Sequence, residues 1–158
     1  DRKMDENRAP IPSLLAVGAV HHHLIRQRLR VRTGLLVETG DVRETHHYAT
    51  LLGFGASAIN PYLTFETLLQ MRSRGIFKSK MSDDELFENY IHAINYGLLK
   101  IFSKMGISTL QSYQGAQIFE ILGINKSVVD KYFTGAVSRI QGMGLDQIAN
   151  PKLRRISS

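Results

Sequence analysis

The sequence contains no cysteine. That absence excludes disulfides, thiolate metal sites, iron–sulfur ligands and a cysteine nucleophile from within the chain. Long apolar runs are missing too. The longest candidate, Leu14 to Val20, falls well short of the ~18 residues that suggest a membrane helix, and three histidines and several arginines follow it. No membrane span is expected. The opening, Asp1-Arg2-Lys3-Met4-Asp5-Glu6, mixes acids with bases and no cleavage pattern follows, so no secretory signal is read there. A reducing, soluble compartment is the default expectation. The chain begins on Asp1 rather than Met, which fits an internal piece of a longer polypeptide.

What is present lies in the globular range. At 43% hydrophobic and 22% charged, a chain of this length can bury a sizeable core if its segments belong together. The net charge of +6 gathers at Arg26, Arg28, Arg30 and Arg32, at Arg72 to Lys80, and at Lys152, Arg154 and Arg155. It does not form one stripe. Solvated faces and partner contacts are therefore expected, and no nucleic acid.

Pro10 and Pro12 lead into Leu14, Leu15, Gly18, His21 or His22, and Ile25, which share one helical face. Val31 to Thr39 reads as a buried strand, Arg43 to Leu52 as a helix stopped by Gly53-Phe54-Gly55, Ala56 to Asn60 as a short strand, and Phe65 to Met71 as a helix. This order implies parallel strands with helices on their faces. Arg72 to Lys80 reads as a connector and as the boundary between two segments, 1–80 and 81–158. Ser82 and Glu85 form a capping-box pattern that opens a helix running through Leu86, Tyr90, Ala93 or Ile94, Gly97, Ile101 and Met105. Gly106 to Leu110 then reads as a short strand. Gly115 to Ile121, Ser127 to Tyr132 and Leu145 to Ala149 read as short helices, with a frayed tail after Pro151.

His21-His22-His23 suggests a metal tract, but consecutive helical residues diverge by about 100° and cannot close on one ion. No two of the six histidines stand at i, i+3 or i, i+4, the spacing a helical metal pair needs. Packed or hydrogen-bonded histidines are expected, and no metal. Gly53-Phe54-Gly55-Ala56 follows a helix and precedes a strand, the reverse of the dinucleotide-binding order, and reads as a helix stop. Glu38, Asp41 and Glu44 could pair for acid–base work or solvate a strand end and a helix start. The stretch from Ser108 to Gln117 is dense in hydroxyls, amides and glycine. Polar groups at the carboxyl end of a parallel strand can point into a ligand cleft. The same residues could form a capped turn, with Ser112 capping a helix that begins near Gly115.

Two strings carry a resemblance. One is IPSLLAVGAVHHHLIR (11–26), continuing through LLVETGDVRETHHYATLLGFGASAINPYLTFETL (35–68). The other is NYIHAINYGLLKIFSKMGISTLQSYQGAQIFEILGI (89–124), followed by KYFTGAVSRIQGMGLDQIA (131–149). Both resemble the large subunit of glutamate synthase, in order, over nearly the whole chain. The resemblance implies an α/β fold: the end of that family's central domain in residues 1–80, then the first elements of an FMN-binding β/α (TIM-like) barrel in 81–158. It implies no catalytic residue within the chain. Met105, Gly106, Ile107 and Ser108 would lie on the FMN side, and Ser112, Tyr113, Gly115 and Gln117 on the 2-oxoglutarate side. Glu120 would approach the ammonia tunnel. The parent enzyme would transfer glutamine-derived ammonia reductively to 2-oxoglutarate, using FMN and an iron–sulfur cluster bound outside this segment. The partners implied are the remaining domains, glutamine and 2-oxoglutarate, in the cytoplasm or in a plastid.

The piece alone would be inactive and would hold no cofactor, and its exposed sheet edges could support a homo-oligomer. Non-catalytic structural or interaction modules from this family would share the same features.

Overall fold

The computed structural model describes residues 1–2, 5, 8–77 and 81–156, with side chains as far as 150. The expected helix over the first apolar stretch is α1 (Ser13–Arg26). Pro12 precedes it and offers no side-chain cap. Asp41 takes that role from a distance: its Oδ2 accepts the Ser13 amide at 3.3 Å, satisfying one of the donors a helix start leaves unpaired.

A parallel pair follows. β1 (Leu36–Glu38) and β2 (Ala58–Asn60) run in register as Leu36↔Ala58, Val37↔Ile59 and Glu38↔Asn60, with α2 (Thr45–Gly53) as the crossover. The strand expected over 31–39 is shorter than its apolar pattern. A 3₁₀ turn takes Arg30–Arg32, and the partner strand is only three residues long. β2 leads through Pro61 into α3 (Tyr62–Ser73). Arg72 and Ser73 of the expected connector thus belong to a helix, while residues 78–80 lie outside the described residues.

The capping box at Ser82 forms as its sequence predicts. Ser82 Oγ accepts the Glu85 amide at 3.2 Å, and the Ser82 amide donates to Glu85 Oε2 at 2.8 Å. It opens α4 (Asp83–Met105), which ends at Gly106 in the left-handed region, φ 69°, where glycine lacks the Cβ clash of other residues. α4 lies along α2. Ile94 joins Val17, Val42, Tyr48, Leu51 and Ala56 in one buried cluster, flanked by Tyr90 and Leu98. The core therefore draws on residues from both sides of position 80.

Beyond α4 the structure departs from the expected order. Gly106–Leu110 is not a strand. It holds the left-handed cap of α4 and the start of the single turn α5 (Leu110–Tyr113), capped by Thr109 rather than by Ser112. Residues 115–121 are not a helix either. Gly115 and Gln117 both take positive φ, 76° and 55°, which interrupts helical propagation, and β3 (Glu120–Ile124) begins directly after. β3 pairs in parallel with β4 (Val137–Met143) across α6 (Lys126–Tyr132). α7 (Leu145–Ile156) continues through the expected frayed tail. The architecture is mixed α/β with two separate two-stranded parallel sheets, and no barrel wall is formed among the described residues.

The second βαβ unit reaches back to the first helix. A Cβ on Gly18 would lie 2.5 Å from the Tyr132 carbonyl oxygen and 2.7 Å from the Phe133 ring, so α1 and the end of α6 touch backbone to ring.

Candidate functional site

The polar loop after α4 is held by bonds its sequence does not advertise. Thr109 Oγ1 accepts the Ser112 amide at 3.2 Å and donates to Ser112 Oγ at 2.8 Å, so both hydroxyls serve the turn. Gln114 Nε2 donates to the Ala56 carbonyl at 2.6 Å, and the Gly115 amide donates to the Gly53 carbonyl at 2.9 Å. The loop is thereby sewn to the segment that ends α2. Tyr113 is wholly buried between Phe102, 4.2 Å away centroid to centroid, and Phe119. Burial pushes its phenol up, and its hydroxyl has no protein partner among the described residues.

The nine residues singled out from the sequence divide among four places. Met105 ends α4 half exposed. It lines a cleft of about 520 Å³ with Glu44, Thr45, His46, Lys100, Lys104 and Phe119. Gly106, Ile107 and Ser108 follow it in sequence without lining that cleft, and the space around a Cβ at Gly106 is open. Gly115 and Gln117 instead line a smaller pocket of about 220 Å³, with His21, His22, Phe54, Phe119 and Thr134. The Gln117 side chain packs against Gly135. Ser112 and Tyr113 line neither. Glu120 stands apart on β3, where both its oxygens accept Arg139 Nη1, at 3.2 and 3.1 Å.

The histidines that join Gly115 and Gln117 are separated from them by some ninety residues, and no local pattern could have announced the meeting. His21 is committed. Its Nδ1 accepts Arg30 Nε at 2.9 Å, and its ring sits where a Cβ on Gly55 would fall. Burial, then His22, then the Arg30 guanidinium lower its pKa to about 4. Burial and Arg26 lower that of His22. The pocket therefore presents neutral imidazoles at neutral pH. His47 Nδ1 accepts the Arg43 amide at 3.2 Å at the start of α2. The candidate acids are occupied as well: Glu38 accepts Arg2 Nε at 2.7 Å and Asn60 Nδ2 at 3.0 Å, and Glu44 forms a reciprocal cap with His47.

Whether these residues fit a flavin is decided by what surrounds them. A ring held by protein needs cover on its faces and donors for its phosphate. Met105 and Ser108 are exposed, and Gly106 and Gly115 face open space rather than a cradle. These residues by themselves do not form a complete flavin site.

Two parallel βαβ units with helices on their faces define the chain as mixed α/β. The description "Glutamate synthase central domain" matches residues 1–125. The NADH glutamate synthase of Saccharomyces cerevisiae is 49% identical over 94% of this chain, and the NADPH glutamate synthase large chain of Bacillus subtilis 49% over 98%. A ferredoxin-dependent glutamate synthase of Arabidopsis thaliana is 46% identical over 96%. The chain belongs to the glutamate synthase family. It spans only 7–10% of the length of these relatives.

Proposed function

We propose that the chain works as the segment of a glutamate synthase that links the central domain to the start of the FMN-binding synthase domain. In the whole protein, glutamine-derived ammonia would be transferred reductively to 2-oxoglutarate to form glutamate. The observation that carries this reading is near-half identity over almost the entire segment to relatives with three different electron donors. A stretch equally similar to NADH, NADPH and ferredoxin enzymes serves the part of the reaction they share.

Within that reading, Met105 to Ser108 face the flavin, Ser112, Tyr113, Gly115 and Gln117 lie toward 2-oxoglutarate, and Glu120 lies toward the ammonia passage. The flavin would supply the hydride chemistry when bound; the loop's share is position. Its bonds to Gly53 and Ala56 would fix it relative to the central domain, so that the two parts move together. The remaining flavin contacts, the iron–sulfur cluster and the other domains belong to sequence outside this chain, in the cytoplasm or a plastid. The connector near residue 80 would be a boundary along the chain and not a packing boundary, because Ile94 is part of the core around Val17 and Leu51.

The test is replacement. The segment is exchanged for its counterpart in the Bacillus subtilis large chain, and the chimera is produced in a glutamate auxotroph. Restored glutamate formation is the expected result. A folded, flavin-loaded chimera that forms no glutamate would remove the reading.

A further inference from the structure

The end of α1 and the turn after it carry four arginines, and the structure separates them into two jobs. Arg30 is the anchor: Nε donates to His21 Nδ1 at 2.9 Å, Nη1 to the Thr33 carbonyl at 2.6 Å and Nη2 to the Gly55 carbonyl at 2.8 Å. Arg26 Nη1 donates to the Lys131 carbonyl at 3.3 Å. Arg28 and Arg32 are exposed, and neither makes a side-chain hydrogen bond or ion pair among the described residues. Between them stand Leu29, 45% exposed, and Val31, 95% exposed.

The backbone beneath this knuckle is built at a cost. The Arg28 amide donates to the Ile25 carbonyl at 2.9 Å and the Leu29 amide to the Leu24 carbonyl at 2.8 Å. These paired bonds are the Schellman ending of a helix, whose left-handed position glycine fills most easily. Arginine fills it here, at φ 58°. An L-residue with a Cβ is strained in that region, and such strain is retained where a side chain is needed at that place. The exposed valine is the second observation: an almost bare apolar tip on a turn pinned by three guanidinium bonds is not explained by folding of this segment.

We infer that this knuckle, Arg28 to Arg32, is a docking element for an acidic, apolar-centred surface on another domain of the same polypeptide. The two unpaired guanidiniums fix the sign of that surface, and guanidinium favours bidentate contact with carboxylates. Leu29 and Val31 require an apolar patch between those carboxylates. The source is the rest of the chain, since the relatives are ten or more times the length of this segment, and a tethered domain is present at high effective concentration. The inference rests on the reading of the chain as a glutamate synthase segment.

The experiment uses the full-length chimera described above, with the photo-crosslinking amino acid p-benzoylphenylalanine at position 31. Illumination followed by peptide mass spectrometry should give one dominant crosslink, within the same polypeptide, to an Asp- or Glu-rich stretch outside the grafted segment. No crosslink, or a crosslink to a second copy or to a separate protein, would overturn the proposal. A paired measurement separates docking from folding. Arg28→Gly should raise the unfolding midpoint of the isolated 158-residue chain by about 2–4 °C, while Arg28→Glu with Arg32→Glu should cut the crosslink yield of the chimera at least tenfold. Unchanged crosslinking in the doubly reversed variant would also overturn it. Glutamate formation by the unlabelled chimera reports on the functional reading alone, so the two ideas can fail separately.

Discussion

Gly18 is the residue on which the packing of the first helix turns. Alanine is favoured over glycine in a helix interior by about 1 kcal/mol, so propensity predicts that Gly18→Ala stabilises. The Tyr132 carbonyl 2.5 Å from the added Cβ predicts the opposite, because backbone cannot step aside as a side chain tip can. Overpacking of this kind costs about 1–3 kcal/mol. A net loss of stability in urea unfolding is expected, and a gain would show that α1 and α6 are not packed this closely. His21 supplies a second test at this scale. Its folded pKa, about 4, lies below the ordinary 6.5, so the unfolded chain binds the proton more readily. The stability this site contributes is complete above pH 6.5 and is lost as the pH falls from there towards 4. His21→Asn keeps an acceptor for Arg30 without a titration, and should flatten the unfolding profile over that window. A profile as steep as that of the unaltered chain would assign the effect to other groups.

Among the elements, α2 and α4 are joined by one polar contact set in apolar surroundings. The Tyr48 and Tyr90 hydroxyls are 2.9 Å apart, and Tyr90 donates onward to the Arg43 carbonyl at 3.1 Å. Burial and the bond to Tyr90 push the Tyr48 phenol well up, so that hydroxyl keeps its proton at any ordinary pH. Tyr90→Phe should cost about 1–3 kcal/mol by leaving a buried hydroxyl unpaired. Adding Tyr48→Phe should recover part of that loss. A double-mutant cycle with no coupling energy would mean the hydroxyls act independently. The elements also show what the sequence disclosed. α1 and α4 were legible because each carries a helical apolar face with a recognisable start, Ser82 with Glu85 most clearly, and α2 was legible from the glycines that stop it. The segment from Gly106 to Ile121 was not, because its apolar pattern is too short to separate strand from helix. The deciding bonds there, Gly115 to Gly53 and Gln114 to Ala56, are long-range. The family was legible from the quoted strings, whereas the meeting of Gln117 with His21 required the fold.

Across the whole molecule, the two sheets have only two strands each. Parallel sheets are ordinarily covered on both faces and extended at their edges. Here Leu122, Ile140 and Val137 on the second pair remain 60%, 61% and 44% exposed, and Tyr96 and Leu99 stand bare on α4. The isolated chain should therefore self-associate at micromolar concentration, with a mass above that of a monomer by light scattering coupled to size exclusion. A monomer at all concentrations would refute this. The purified chain should also lack flavin absorbance, since Met105 and Ser108 are exposed and Gly106 and Gly115 face open space; a stoichiometric yellow protein would contradict that. Truncation after residue 77 removes Ile94, Tyr90 and Leu98 from the cluster around Val17 and Leu51. The remainder should then lose cooperative unfolding, and a sharp transition would place the core elsewhere.

The contact between α1 and the end of α6 also sets a schedule for biosynthesis. Arg26 meets its acceptor at Lys131 across 105 residues of sequence. A ribosome adding about 5–20 residues per second needs roughly 5–20 s to make that stretch. Throughout that interval the hollow over Gly18 has no occupant, and the nascent helix presents its underside to the cell. Docking of α6 is then the event that closes the N-terminal half, and it waits for residues made about a hundred positions later.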